Sequence, residues 1–338
     1  AVDDKFQNTE TLEETQEKFW RHLFNAKTKN ANSGKGLFYR SKKEVEEAFA
    51  KVTWLAKNDE SLKTQLLNCG AAIEAIFENE DIKKTLFKEL ETLMPKDAAI
   101  FTNTSTIQIS RLADGMKNSE RLMGLHFFNP VHIMPNIEAI PHRGTSEETS
   151  ALGNRLVHIV GKKFLLAPDV PGFVANRLGM RMIMAFGKWL KLGYDYREFD
   201  RRFKDGTWFG YIPTLEIVQE LIKAAVNFIL IDQKGSRVTL SEETIDEIIK
   251  LGFSWPLGPF KLRRLIETGE AEQIKFLMGP AEFVDLVGID VALDCAHSLA
   301  RQEPDGGWEE PAFLRAMLDA GKLGYKSGEG FYKYGSRV

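Results

Sequence analysis

From Thr9 to Phe24 the apolar positions Leu12, Phe19, Trp20, Leu23 and Phe24 fall mainly on one side of a helical wheel among Glu, Gln and Lys. That pattern predicts an amphipathic helix. The polar stretch 26–36 ends it, and Ser41 followed by Glu44 fits a capping box ahead of a second helix carrying Val45, Ala48, Phe49 and Val52. The character then changes. A glycine-led, mostly apolar run over 71–77 has the length of a buried strand, and residues 81–94 put Ile82, Leu86, Leu90 and Leu93 on one helical face. Residues 98–101 form a second short apolar run, broken by Asn103-Thr104-Ser105-Thr106 before a short helix over 107–116. Further strands are expected over 122–128 and 136–140. Strands alternating with helices at this spacing predict a parallel α/β sheet. Beyond Pro171-Gly172 the periods become helical, over 173–192, 213–232, 241–251, 288–300 and 311–320, which puts a domain boundary near 168–172. Within this half Pro256-Leu257-Gly258-Pro259-Phe260 is echoed 21 residues later by Leu277-Met278-Gly279-Pro280-Ala281, a duplication too short for a solenoid.

Composition narrows the class. A chain of 338 residues, 43% hydrophobic and 28% charged, is long enough for two domains, each with a core, and is not disordered in composition. The net charge of -3, from 45 Lys+Arg against 48 Asp+Glu, gives no electrostatic case for nucleic acid as the main partner. Its two cysteines, Cys69 and Cys295, lie outside any metal-ligand spacing, so neither a zinc site nor a disulfide framework is expected. The longest apolar helical stretch, 224–231, is interrupted by Asn227 and falls short of the ~20 residues of a membrane span. The acidic opening is the opposite of a signal or transit peptide, so any targeting segment is expected to have been removed.

Ligands of parallel sheets bind beyond the carboxyl ends of the strands, which directs attention to three loops. They carry Glu78 to Lys83, Asn103 to Thr106, and His126-Phe127-Phe128-Asn129-Pro130, with Glu138 in the next strand. A histidine at a strand end, a nearby carboxylate and a hydroxyl from a neighbouring loop are the parts of an acid/base site. Each residue also has a plainer reading. A lone His126 is more often structural, and His132 has the same raw claim. Ser105 suits a helix N-cap, Glu138 a partner for a nearby base, Lys83 an exposed helix lysine, and Glu78 a carboxylate favoured by a helix dipole.

Taken together, Ile73 to Asn79, Asn103 to Thr106, Gly124-Leu125-His126-Phe127-Phe128-Asn129-Pro130-Val131, Pro171 to Arg177 and Gly328-Glu329-Gly330-Phe331-Tyr332 occur in an order and spacing that strongly resembles the L-3-hydroxyacyl-CoA dehydrogenase family. The resemblance covers about residues 1–194 and 240–335. It implies a truncated Rossmann-type α/β domain with a parallel sheet over 1–170, then an all-α C-terminal domain over 171–338 of the kind that dimerises in the family. By position it makes His126 the catalytic base, Glu138 its carboxylate partner, and Ser105 and Asn176 the hydrogen-bonding groups for the substrate C3 oxygen. Glu78, Lys83 and Asn129 are placed around the NAD cofactor. The implied reaction is hydride transfer between an L-3-hydroxyacyl-CoA and NAD in fatty-acid oxidation, with a mitochondrial matrix location following from that role.

Two departures bear on this expectation. On this resemblance the family's first strand, Gly-x-Gly-x-x-Gly turn and helix are expected ahead of Ala1 and do not occur in the sequence from Ala1 on, where Gly34-Lys35-Gly36 reads as loop. Ala1-Val2-Asp3-Asp4 aligns with the end of the family's second strand, where Asp3 or Asp4 would meet the adenosine ribose; a merely acidic chain start is the alternative. Loss of two or three charge-assisted backbone hydrogen bonds, ~4–6 kcal/mol, would weaken NAD about a thousandfold or more. The second departure is an insertion over 194–239 with the aromatic patch Trp208-Phe209-Gly210-Tyr211, which suits either a core or dimer surface or a docking surface. Three functions follow: an active dehydrogenase, a catalytically degenerate relative serving as accessory subunit of a larger mitochondrial complex, and a CoA-thioester binding module without redox chemistry.

Overall fold

The computed structural model describes residues 50–53, 55, 59–232 and 240–334. The helices expected over 9–24 and from Ser41, the 34–36 loop, Asp3 and Asp4 lie outside the described residues. Five strands form one sheet in the order β1 (Ala71–Glu74), β2 (Ala99–Thr102), β3 (Leu122–Phe127), β4 (Asn136–Pro141) and β5 (Lys163–Leu166). β1, β2 and β3 run parallel, with Ala71 opposite Ala99, Glu74 opposite Thr102 and Thr102 opposite Gly124. The chain divides into two compact units. The first takes the residues up to Thr104, Ser110–Ile137 and Gly144–Phe164; the second takes Ser105–Ile109, Glu138–Arg143 and the chain from Leu165.

In the first unit, α1 (Ser61–Leu66) precedes β1, and every residue of β2 is buried, as a central strand flanked on both faces requires. β1 is shorter than its apolar run, ending at Glu74 rather than Phe77. The cause is local: the Glu74 carboxylate accepts the Ile76 N–H at 2.6 Å and pulls the backbone out of the ladder. α2 (Glu80–Leu93) starts where the Asn79 side chain accepts the Ile82 N–H, with Glu80 and Asp81 at the positive end of the dipole. It buries Phe87 and Leu90. Among the described residues, hydrophobic periodicity does not reveal α4 (Glu147–Ile159) or β5. The buried face of α4 is Thr149, Gly153 and Val157, with no apolar stripe, and no residue of β5 is fully buried.

α3 (Ile109–Ala113) falls within the helix expected over 107–116. The second unit is helical: α5 (Ala175–Lys191), α6 (Tyr196–Asp205), α7 (Ile212–Asp232), α8 (Glu242–Gly252), α9 (Pro259–Thr268), α10 (Pro280–Val287), α11 (Ile289–Gln302) and α12 (Ala312–Asp319). The Gly-Pro echo in the sequence marks two equivalent helix starts, Gly258-Pro259 on α9 and Gly279-Pro280 on α10. Each is capped by a buried aspartate five residues past the N-cap of another helix. Asp246 of α8 accepts the N–H groups of Phe260 (2.7 Å) and Lys261 (3.0 Å), and Asp200 of α6 those of Ala281 and Glu282 (both 3.0 Å). Both sites need glycine. A Cβ at Gly258 would lie 2.1 Å from the Asp246 Cα, and one at Gly279 2.2 Å from the Asp200 Oδ1. The aromatic patch of the insertion is core at Trp208, which is fully buried, donates from its indole N–H to the Ile274 carbonyl at 2.8 Å and packs on Phe276.

Candidate active site

Within the first unit, the carboxyl ends of β1, β2 and β3 carry a connected polar network. Glu74, at 4% exposure, accepts the Lys83 ammonium at 2.6 Å on the same oxygen that takes the Ile76 N–H, and the Thr102 hydroxyl at 2.5 Å on the other. The Thr104 N–H donates to the Thr102 hydroxyl oxygen at 3.2 Å, and the Thr104 hydroxyl donates to Glu78 at 2.7 Å. Lys83 also lies 3.6 Å from the second Glu78 oxygen. Lys83 is therefore no exposed helix lysine: it is 1% exposed, enclosed between two carboxylates, while 28% of the Glu78 side chain remains accessible. The Asn103 N–H donates to the Glu74 carbonyl at 2.8 Å, and the Asn103 side chain accepts the Phe127 N–H at 2.9 Å, tying the β3 end to the same network.

His126 occupies the penultimate position of β3, buried to 6% exposure, its ring tilted against Phe128 with centroids 5.1 Å apart. Asn129 follows, exposed, at a cis bond to Pro130. The loop beyond is held from below by Lys162, whose ammonium donates to the carbonyls of Val131 and Met134; burial pushes its pKa down. His132 in that loop is half-buried.

Within the second unit, Glu138 is fully buried, and one carboxylate oxygen accepts the N–H groups of Val174 and Ala175, both at 3.0 Å. It caps the positive end of α5, a charge-assisted arrangement. The turn into α5 is strained: Gly172 and Phe173 both have left-handed backbones, at φ +72° and φ 48°. The Gly172 N–H donates to the Thr106 carbonyl, and the Asn176 side chain donates to the Ser105 carbonyl at 2.8 Å. Two predicted residues thus meet directly. Ser105 does not cap α3, which starts at Ile109, whose N–H donates to Asp169 at 2.5 Å. The 105–109 segment is instead fastened by Thr106 to Ser298 and by Gln108 to Gln302.

Sequence reasoning missed Glu74, Thr102 and Thr104. The available signal was Glu74 itself, one carboxylate inside an apolar run. No group of three or more His, Cys, Asp or Glu suited to a metal ion occurs among the described residues, and none of their helices is long and apolar enough to cross a membrane.

The family model described as 3-hydroxyacyl-CoA dehydrogenase, NAD binding domain, matches residues 6–170, and that of the 3-hydroxyacyl-CoA dehydrogenase C-terminal domain matches 266–334. A probable 3-hydroxybutyryl-CoA dehydrogenase of Deinococcus radiodurans is 30% identical over 79% of this chain and 72% of its own length. The fatty acid oxidation complex subunit alpha of Acinetobacter baylyi is also 30% identical over 78% of this chain, which spans only 27% of that protein. In fold the chain is similar to M. tuberculosis FadB2, at a TM-score of 0.61 and 24% identity over 93% of this chain and 85% of that one. It is equally similar to the (S)-3-hydroxybutyryl-CoA dehydrogenase PaaH1 of Ralstonia eutropha, at 0.61 and 23% identity over 95% and 87%. The chain belongs to the 3-hydroxyacyl-CoA dehydrogenase family.

Proposed function

We propose that this chain interconverts an L-3-hydroxyacyl-CoA and its 3-ketoacyl-CoA with NAD as hydride partner. Support comes from its family, from relatives named as dehydrogenases and from the residues present; these favour an enzyme over an accessory subunit. The observation that carries the reading is Asn176 bonded to the Ser105 backbone at the entry to α5, beneath which Glu138 is locked. That bond fixes the Asn176 amide to the segment that carries Ser105.

NAD supplies the two-electron acceptor at its nicotinamide ring. In the oxidative direction His126 takes the C3 hydroxyl proton as the hydride departs from C3, so the carbonyl forms with electrons and protons balanced. On the family pattern, Ser105 and Asn176 would donate hydrogen bonds to the C3 oxygen as its charge develops, and Glu138 would be the carboxylate partner of His126. The described residues fit the nicotinamide-ribose end of the cofactor, because the accessible Glu78 carboxylate accepts from hydroxyl groups and is backed by Lys83 and Thr104. Asn129, exposed after β3, is assigned to the same end from the family pattern alone. Asp4, proposed for the adenosine ribose, lies outside the described residues. A homodimer or a place in a larger assembly, and a mitochondrial matrix location, belong to this reading as proposals from the family alone.

The test is NAD reduction with (S)-3-hydroxybutyryl-CoA by the chain and its Ser105→Ala and Asn176→Ala variants. Turnover that falls ~100-fold or more in either variant, with the fold intact, supports the assignment. Folded protein without turnover contradicts it.

A further inference from the structure

β2 ends at Thr102, opposite Gly124 of β3, yet β3 continues through Leu125, His126 and Phe127. His126 therefore stands on an overhang of its strand, past the last residue pair of the β2–β3 ladder. A side chain takes over there. The Phe127 N–H, which belongs to the peptide joining His126 to Phe127, donates to the Asn103 side chain at 2.9 Å. A backbone N–H only donates, so the amide turns its oxygen to Phe127, and its orientation is settled. Asn103 is pinned from the other side as well, its own N–H donating to the Glu74 carbonyl of β1 at 2.8 Å. The turn that carries it is closed by the Thr104 N–H on the Thr102 hydroxyl oxygen at 3.2 Å. Asn103 thus bridges β1 and β3 across the end of β2, and lengthens the ladder with a side-chain bond where the β2 backbone has turned away.

We infer that Asn103 is a positioning residue for His126: its amide oxygen holds the peptide between His126 and Phe127, and so fixes where the imidazole stands when a proton moves to or from the C3 oxygen. This rests on the dehydrogenase reading above, with His126 as the base. Asn103 acts through the strand and not on the reacting atoms. Placement of this kind shows in rate more than in substrate affinity, because moving a proton-transfer group by about 1 Å costs on the order of 100-fold. The length of the side chain is what fits. Asn and Asp set an acceptor oxygen at the same reach from the backbone, whereas Ala sets none. Asn103→Ala leaves the Phe127 N–H without this acceptor at a half-buried position and loosens the overhang, while Asn103→Asp keeps the bond.

The experiment is steady-state reduction of acetoacetyl-CoA at saturating NADH by the full chain, Asn103→Ala and Asn103→Asp, with thermal unfolding as the folding control. Saturation keeps any change in cofactor affinity out of kcat. The expected result is a kcat lowered about 100-fold in Asn103→Ala, with KM for acetoacetyl-CoA within about threefold of the parent, so that kcat and kcat/KM fall together. Asn103→Asp, which retains the acceptor oxygen, regains at least about tenfold of that loss. An Asn103→Ala kcat within about threefold of the parent, or a KM that rises as kcat falls, overturns the inference while leaving the dehydrogenase reading intact. So does an Asn103→Asp variant as slow as Asn103→Ala, or an Asn103→Ala chain that does not fold, since each marks a residue that serves the fold alone. Folded parent protein without turnover overturns both.

Discussion

His126 is held by its strand and by the Phe128 ring, so its removal acts on chemistry more than on structure. His126→Asn is expected to lower kcat by ~10²–10⁴, the usual contribution of a positioned general base, with the Kd for NADH unchanged in a direct titration. Glu138 behaves differently because it also caps α5. Glu138→Gln is expected to lower both kcat and the unfolding temperature, since an amide gives the Val174 and Ala175 N–H groups a neutral acceptor in place of a charged one. Legibility at this scale divides by chemistry. His126, Ser105 and Asn176 stand in short strings whose order is visible in the chain, and Glu138 in the strand that follows. Glu74 and Lys83 are nine positions apart on a strand and a helix, and their pairing exists only once α2 packs beside β1. Nothing in local sequence distinguishes a lysine bound for burial from one bound for solvent.

At the scale of elements, the Asp200 and Asp246 caps explain why two Gly-Pro strings recur. Gly258→Ala and Gly279→Ala are each expected to destabilise by about 1–3 kcal/mol in chemical denaturation, because backbone or a buried carboxylate occupies the space of the new methyl group. Burial pushes the Asp200 carboxyl up to about 7 despite its hydrogen bonds from Ala281, Glu282 and Tyr332. Its folded value is therefore above its unfolded value. The stability this group adds is fully present below about pH 4 and is lost as pH rises through about 7. The unfolding temperature of the parent minus that of Asp200→Asn is accordingly expected to decrease between pH 5 and pH 8. A difference that grows with pH contradicts the assignment. Helices whose buried face is apolar, such as α5 and α8, are visible in the sequence. α4 is not, because Thr149, Gly153 and Val157 let it lie close to the sheet: a Cβ at Gly153 would be 3.0 Å from the Phe101 ring.

At the scale of the whole molecule, the change from strand-and-helix alternation to continuous helical periodicity after Pro171-Gly172 announces two kinds of architecture. The division of the chain is subtler than a single boundary. β4 is shared, with Asn136 and Ile137 in the first compact unit and Glu138 onward in the second, and the 105–109 segment belongs to the helical unit although it follows β2. Linear patterning has no means of showing this, since the fastening of Thr106 and Gln108 to α11 spans nearly two hundred positions. The proposed reaction moves a hydride between C3 of an acyl-CoA and a nicotinamide. The most direct measurement is the fate of deuterium when the chain is incubated with acetoacetyl-CoA and NADH dideuterated at the nicotinamide C4. The expected product is 3-hydroxybutyryl-CoA carrying one deuterium at C3, with none formed by His126→Asn over the same interval. Folded parent protein that yields no labelled product, or product labelled elsewhere than C3, contradicts it.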